Sequence, residues 1–173
     1  MSSVRIATFR KVNFEQFYKD YEETFRYGQN VLKIKEIYDN IILPKRVTTG
    51  SAGYDFKSPI DFALRSGETI KIPTGIRCKI DEGWVLQLYP RSSLGFKCRL
   101  QLDNTVGIID SDYYYSDNEG HIFIKISNSS IKGKTLAVKK GDGFAQGIFL
   151  QYGITSDDIV SNIRNGGVGS TGK

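Results

Sequence analysis

Histidine, tryptophan and methionine each occur once in the 173 residues, cysteine twice and proline four times. A lone His121 with Cys78 and Cys98 is too small a set for a zinc cage. No motif supports a Cys–His nucleophile pair either. The two cysteines read as buried or half-buried reduced thiols of an intracellular chain. No run approaches the ~18 consecutive apolar residues of a membrane span. The opening MSSVRIATFRKVN has no apolar centre of the kind a secretory signal carries. The expectation is a cytoplasmic protein with no membrane partner. Excess charge is also modest. Lys and Arg number 24 against 19 Asp and Glu, a net +5. The densest basic patch, Lys132, Lys134, Lys139 and Lys140, reads as a solvated loop and strand face. Such a balance favours an anionic ligand without calling for nucleic acid.

What is present is an ordinary globular composition, 39% hydrophobic and 25% charged. The length suits one domain over residues 1–173, able to bury roughly 70% of its unfolded surface. VRIATF (4–9) reads as a strand. A helix follows over 13–27. Asn13 is its cap, Gln16 the return partner of a capping box, and Val12 and Phe17 a hydrophobic staple. Phe14, Phe17, Tyr18, Tyr21 and Phe25 keep helical spacing, and the stripe is expected to pack on the body of the domain.

From residue 31 the spacing is read as period two. Ile70 and Ile72 alternate in TIKIP, and Ile76, Cys78 and Ile80 in IRCKI. Trp84, Leu86 and Leu88 oppose Val85, Gln87 and Tyr89. Ile122, Ile124 and Ile126 alternate in HIFIKIS, and GFAQGIFLQY closes the series. Short strands between Gly, Pro, Asn and Asp predict an all-β antiparallel sandwich or barrel. The last ten residues hold four glycines and are expected to form a flexible arm.

GKT at 133–135 suggests a P-loop, but the glycine that motif needs five positions earlier is Asn128, and the segment reads as strand and turn. GxSxG, HExxH and EF-hand patterns are absent. Five polar, glycine-bearing segments stand out instead: AGYDF (52–56), PRSSLG (90–95), NTVGIIDSDYYYSDNEG (104–120), GDGFAQGIF (141–149) and RNGGVGSTGK (164–173). PRSSLG sets a guanidinium beside two hydroxyls and a turn of N–H donors, a set that clamps phosphate. The tail offers Arg164, Ser170 and Thr171 as a second cradle. Two arginine-bearing cradles without a metal cage suggest a triphosphate that brings its own Mg²⁺.

In this order the five segments resemble the trimeric dUTPase family, from LPKRVTTGSAGYDF at 43–56 to the C-terminus. DFALRSGETIKIPTGI also resembles the family's connecting strands. The resemblance implies a jelly-roll-like β fold and a homotrimer with sites between subunits. It implies Mg-dependent hydrolysis of dUTP to dUMP and pyrophosphate, which keeps uracil out of DNA and supplies dUMP for thymidylate. Asp110 matches the catalytic carboxylate that activates water. Arg91, Ser92, Ser93, Gly95 and Gln146 match the phosphate-binding residues, with Arg164, Gly169, Ser170 and Thr171 of the tail. Asp55 matches a carboxylate that holds water around the metal without binding it directly. Asn104, Gly107 and Ile109 match the uracil hairpin, and Tyr113 the ring under the deoxyribose.

Three features depart from the family pattern. Val168 stands where an aromatic residue usually covers the base. Gly120 follows Tyr113 by seven positions instead of two. The helix at 13–27 is inserted. Residues 13–27 or 114–119 could therefore offer a surface to a regulatory protein. Two other functions compete with hydrolysis. In dCTP deaminases, of the same fold, the strand after the hairpin carries a glutamate, as in ITLEFSN; IFIKISN has Lys125 there, so that chemistry would lack its base. Jelly-roll folds also serve as non-enzymatic capsid and lectin modules.

Overall fold

The computed structural model describes residues 4–26, 28–162 and 164. Strand β1 (Ala7–Lys11) opens it, followed by α1 (Phe14–Phe25). Asn13 Oδ1 accepts the Gln16 N–H at 2.7 Å and caps α1 as expected. The return half of the capping box differs. The Gln16 amide turns to Asp20 Oδ2 at 2.9 Å, and the Asn13 N–H goes to Glu119 Oε2 at 2.9 Å. A carboxylate 106 positions further along the chain therefore closes the cap, because the stretched turn before Gly120 brings it there. Phe17 and Tyr21 are buried, and Phe14, Tyr18 and Phe25 pack against the same core. The aromatic stripe is spent on the body of the molecule.

A second helix, α2 (Val31–Asp39), occupies residues expected to alternate as strand. Asn30 caps it, accepting the Leu32 N–H at 2.8 Å, and Ile34 is fully buried. The expectation of a single inserted helix is corrected on this point. A third helix, α3 (Ser92–Cys98), forms within PRSSLG and beyond.

The strand pairings are antiparallel. β2 (Tyr54–Lys57), β11 (Gly143–Gln151), β6 (Trp84–Pro90) and β8 (Gly107–Ile109) form one sheet in the order β2-β11-β6-β8. β4 (Thr69–Pro73), β9 (Phe123–Asn128) and β7 (Leu100–Leu102) form a second in the order β4-β9-β7. β5 (Ile76–Ile80) pairs with β1, and β3 (Phe62–Leu64) with β10 (Leu136–Val138). Ile72, Ile124 and Ile126 from one sheet and Leu86 and Leu88 from the other fill a common core with Phe17 and Phe56. Each such side chain is worth about 1.5–3 kcal/mol when fully buried. Cys78 and Cys98 are free and buried, and burial pushes the Cys78 thiol up to about 12. Among the described residues no helix is long and apolar enough to cross a membrane.

Candidate active site

Strand β8 ends at Ile109 and the chain turns into a short 3-10 helix, Ser111–Tyr115, with Asp110 at its cap. This turn buries Tyr113 and leaves Asp110 half-exposed. The Tyr113 hydroxyl donates to the His121 carbonyl at 2.7 Å and receives the Asn118 amide at 3.0 Å. Burial pushes that hydroxyl's pKa up, and the Asn118 hydrogen bond opposes the shift. Gly120 makes the longer turn possible. Its φ is +68°, and a Cβ there would lie 2.6 Å from the Tyr113 carbonyl oxygen.

Between this hairpin and α1 lies a cavity of about 600 Å³. Asn104, Gly107, Ile109, Tyr113 and Arg164 line it, so five of the anticipated residues meet in one place. Arg164 Nη2 donates to Asp110 Oδ2 at 2.6 Å, and its Nε lies 3.0 Å from Asp112 Oδ1. The same guanidinium stands 5.7 Å above the Tyr113 ring. The pocket also holds Lys125, paired with Asp103 Oδ2 at 2.8 Å. A lysine, not a carboxylate, therefore faces the ligand space where a deaminase would need its base.

A second group of anticipated residues gathers elsewhere. Asp55 on β2 pairs in register with Gln146 on β11. The Asp55 carboxylate is buried, 3.5 Å from Arg91 Nη2 and 4.0 Å from Lys57 Nζ. The Gln146 amide donates to the Pro90 carbonyl at 3.2 Å. Gly143 lets Arg91 pass close to β11, since a Cβ there would sit 2.7 Å from Nη1. Ser92 and Ser93 are exposed at the start of α3, with Gly95 in its second turn. A helix start of this kind presents N–H donors to an anion.

One chain does not bring the two groups together. Ile109, beside Asp110, pairs with Leu86, whereas Arg91 follows Pro90 at the other end of β6. Leu86 and Pro90 are four steps apart, roughly 14 Å at the usual strand rise. None of Asp55, Arg91, Ser92 or Gln146 lines the hairpin cavity. Gly169, Ser170, Thr171 and Val168 lie outside the described residues.

The inserted helix adds residues that the motif reading missed. Asp20 and Glu23 of α1 line the hairpin cavity, with Lys71 and Phe123. The two departures from the family pattern also meet each other. Besides capping α1, Glu119 lies 3.5 Å from Arg77, whose guanidinium stacks 3.7 Å from the centre of the Tyr114 ring. Residues 13–27 and 114–119 thus use part of their polar surface internally, while Tyr115 stays exposed.

His121 is fully buried between these elements. Its Nε2 accepts the Gly75 N–H at 2.7 Å, so the proton sits on Nδ1, which donates to Asp20 Oδ2 at 2.5 Å. Burial pushes the imidazole below its ordinary value of 6.5, against the opposing pull of Asp20. The unfolded chain therefore takes up a proton that the folded chain refuses. Stability is complete above about pH 6.5 and falls as pH drops through that value towards the folded pKa. Melting scans between pH 8 and 5 are expected to show this decline. His121→Gln should flatten it in that window, since the chain has no other histidine.

Comparison with known proteins shows the family. A family model described as dUTPase matches residues 39–173. The deoxyuridine 5'-triphosphate nucleotidohydrolase of Lactococcus lactis is 40% identical over 135 residues, 76% of this chain and 89% of that protein. The corresponding protein of Haemophilus ducreyi is 40% identical over 151 residues, 80% and 95% of the two chains. Among solved structures, the dUTPase from Streptococcus mutans is similar with a TM-score of 0.60 at 38% identity, covering 68% of this chain and 91% of that one. A variant dUTPase from phage phi11 of S. aureus, described with a structural Mg(II) ion, has a TM-score of 0.58 at 25% identity over 72% and 92%. Fold and relatives define a β-rich nucleotide hydrolase. The chain belongs to the dUTPase family, whose members hydrolyse dUTP to dUMP. Helix α1 and all but the last residue of α2 precede the matched region.

Proposed function

We propose that Asp110 is the general base of dUTP hydrolysis, in a homotrimer whose sites each draw on more than one subunit. The observation that carries the first part is the contact between Asp110, which does not itself line the hairpin pocket, and Arg164, which does. A carboxylate there takes the proton of a water as its oxygen bonds to the α-phosphorus. The bond from that phosphorus to the bridging oxygen breaks in line, and pyrophosphate leaves. Asn104 and the hairpin backbone read the uracil edge, leaving no room for a C5 methyl. Tyr113 lies under the deoxyribose and excludes a 2′-hydroxyl. Arg91, Ser92, Ser93, Gly95 and Gln146 hold the phosphates, with Arg164, Gly169, Ser170 and Thr171. The product dUMP feeds thymidylate synthesis, and removal of dUTP keeps uracil out of DNA. Two free, buried cysteines favour a reducing compartment such as the cytoplasm.

The donor set bears on Mg²⁺. Among the described residues no three His, Cys, Asp or Glu side chains gather to cage a metal. Asp55 is instead buried between two cationic side chains. On the proposed reading the cation is carried on the phosphates, and Asp55 meets it through water. When bound, Mg²⁺ would neutralise charge on the triphosphate and the departing pyrophosphate.

Sharing of the site is supported by the separation of Asp110 from Arg91 along β6. Mixing subunits tests it. Asp110→Asn and Arg91→Ala are each expected to be nearly inactive alone. Refolded together in equal amounts, about a quarter of sites regain both groups and activity returns accordingly. No recovery would place both residues in one subunit's site. Pyrophosphate release across the deoxynucleoside triphosphates, with and without Mg²⁺, tests the reaction. Preference for dUTP with the metal is expected, and equal turnover of dUTP, dTTP and dCTP would overturn the reading of the hairpin.

A further inference from the structure

Helix α1 lies outside the matched region, yet it forms a wall of the nucleoside pocket through Asp20 and Glu23. Asp20 also anchors a run of buried hydrogen bonds. It receives the Gln16 amide at 2.9 Å and the His121 Nδ1 proton at 2.5 Å. His121 is held from its other side by the Gly75 N–H, and its carbonyl accepts the Tyr113 hydroxyl at 2.7 Å. Asp20 and His121 are both buried, so a broken link leaves a polar atom without water to replace its partner. The His121 ring is further packed against Phe123, centroids 4.6 Å apart, and Phe123 lines the same pocket.

From these contacts we propose that Asp20 is a positioning residue. Through His121 it fixes the Tyr113 ring beneath the sugar, and so sets the discrimination between deoxyribo- and ribonucleotides. The inference rests on Tyr113 lying under the deoxyribose, and extends that role to a helix beyond the matched region. The physical ground is preorganisation. A ring excludes one extra hydroxyl only when it cannot retreat by a fraction of an ångström, and its hydroxyl tether ends on a residue that Asp20 orients.

The test compares steady-state kinetics on dUTP and UTP. Asp20→Ala is expected to raise the KM for dUTP about tenfold, leave kcat within about twofold, and lower the dUTP-to-UTP ratio of kcat/KM about tenfold. Asp20→Asn keeps an acceptor for the imidazole and should recover most of the difference. Glu22→Ala is the control. Glu22 is a buried acid on the same helix that binds the Gly28 and Gln29 N–H groups and does not line the pocket. It should lower the melting temperature without changing the ratio. An unchanged ratio in Asp20→Ala overturns the proposal, and so does an equal change in Glu22→Ala. Tyr113→Leu separates this from the underlying reading: if it too leaves the ratio unchanged, Tyr113 is not the sugar floor. If Asp20→Ala does not fold, the wild-type protein decides. With a single histidine, the untagged chain gives one imidazole signal in nitrogen-edited NMR. Binding of α,β-imido-dUTP should shift its Nδ1–H resonance, and an unmoved signal overturns the proposal.

Discussion

Asp110→Asn is expected to lose at least about a hundredfold in kcat and to keep nucleotide binding. The substitution preserves shape, and its remaining carbonyl oxygen still accepts from Arg164. What it loses is a lone pair basic enough to take the water's proton. Asp112 is no substitute, because it lies two residues on, on the exposed side of the 3-10 turn, and its Oδ1 is set towards the Arg164 Nε. Single-turnover rates with Mg²⁺ and dUTP, beside titration with α,β-imido-dUTP, separate chemistry from binding. An unchanged single-turnover rate would remove Asp110 from the mechanism.

A chain ending at residue 163 is expected to keep its melting temperature and to lose turnover to the background rate. Arg164 lines the pocket, pairs with Asp110 and Asp112, stands over the Tyr113 ring, and takes no part in the apolar core. An ion pair with half-exposed carboxylates contributes at most about 1 kcal/mol to the fold. In the role proposed for it, the same guanidinium would instead meet several phosphate oxygens. A unit-charge contact at 4 Å is about 4 kcal/mol at an effective dielectric near 20, before desolvation. Truncation also removes Gly169, Ser170 and Thr171. Circular dichroism melts and pyrophosphate release on the truncated chain check both halves. Full activity would show that the tail is dispensable.

The strands were legible because their two faces differ. In β5, Ile76, Cys78 and Ile80 are buried while Lys79 is exposed, and the alternation survives into the structure. Helix α2 was not legible, for a specific reason. Leu32, Lys33, Ile34 and Lys35 alternate like a strand, but Leu32 is 74% exposed and only Ile34 is buried. The helical signal was the spacing from Ile34 to Ile37 and Tyr38, together with Asn30 as a cap. Within the site, resemblance named most of the residues, and local pattern could not have grouped them. Asp110 follows β8, paired near the start of β6, and Arg91 follows the end of β6, so no stretch of sequence groups them. Asp20 was missed although a signal existed. It falls on the buried stripe between Phe17 and Tyr21, where an acid needs a partner, and the chain offers one histidine.

The cap on α1 has a consequence for building chimeras. Asn13 and Asp20 in the leader find their partners in Glu119 and His121, about a hundred positions away, within or just after the enlarged turn. Neither insertion is a self-sufficient module. Transplanting the leader onto a shorter relative would leave a buried carboxylate facing nothing, and grafting the turn alone would expose the imidazole to solvent. The two pieces have to travel together.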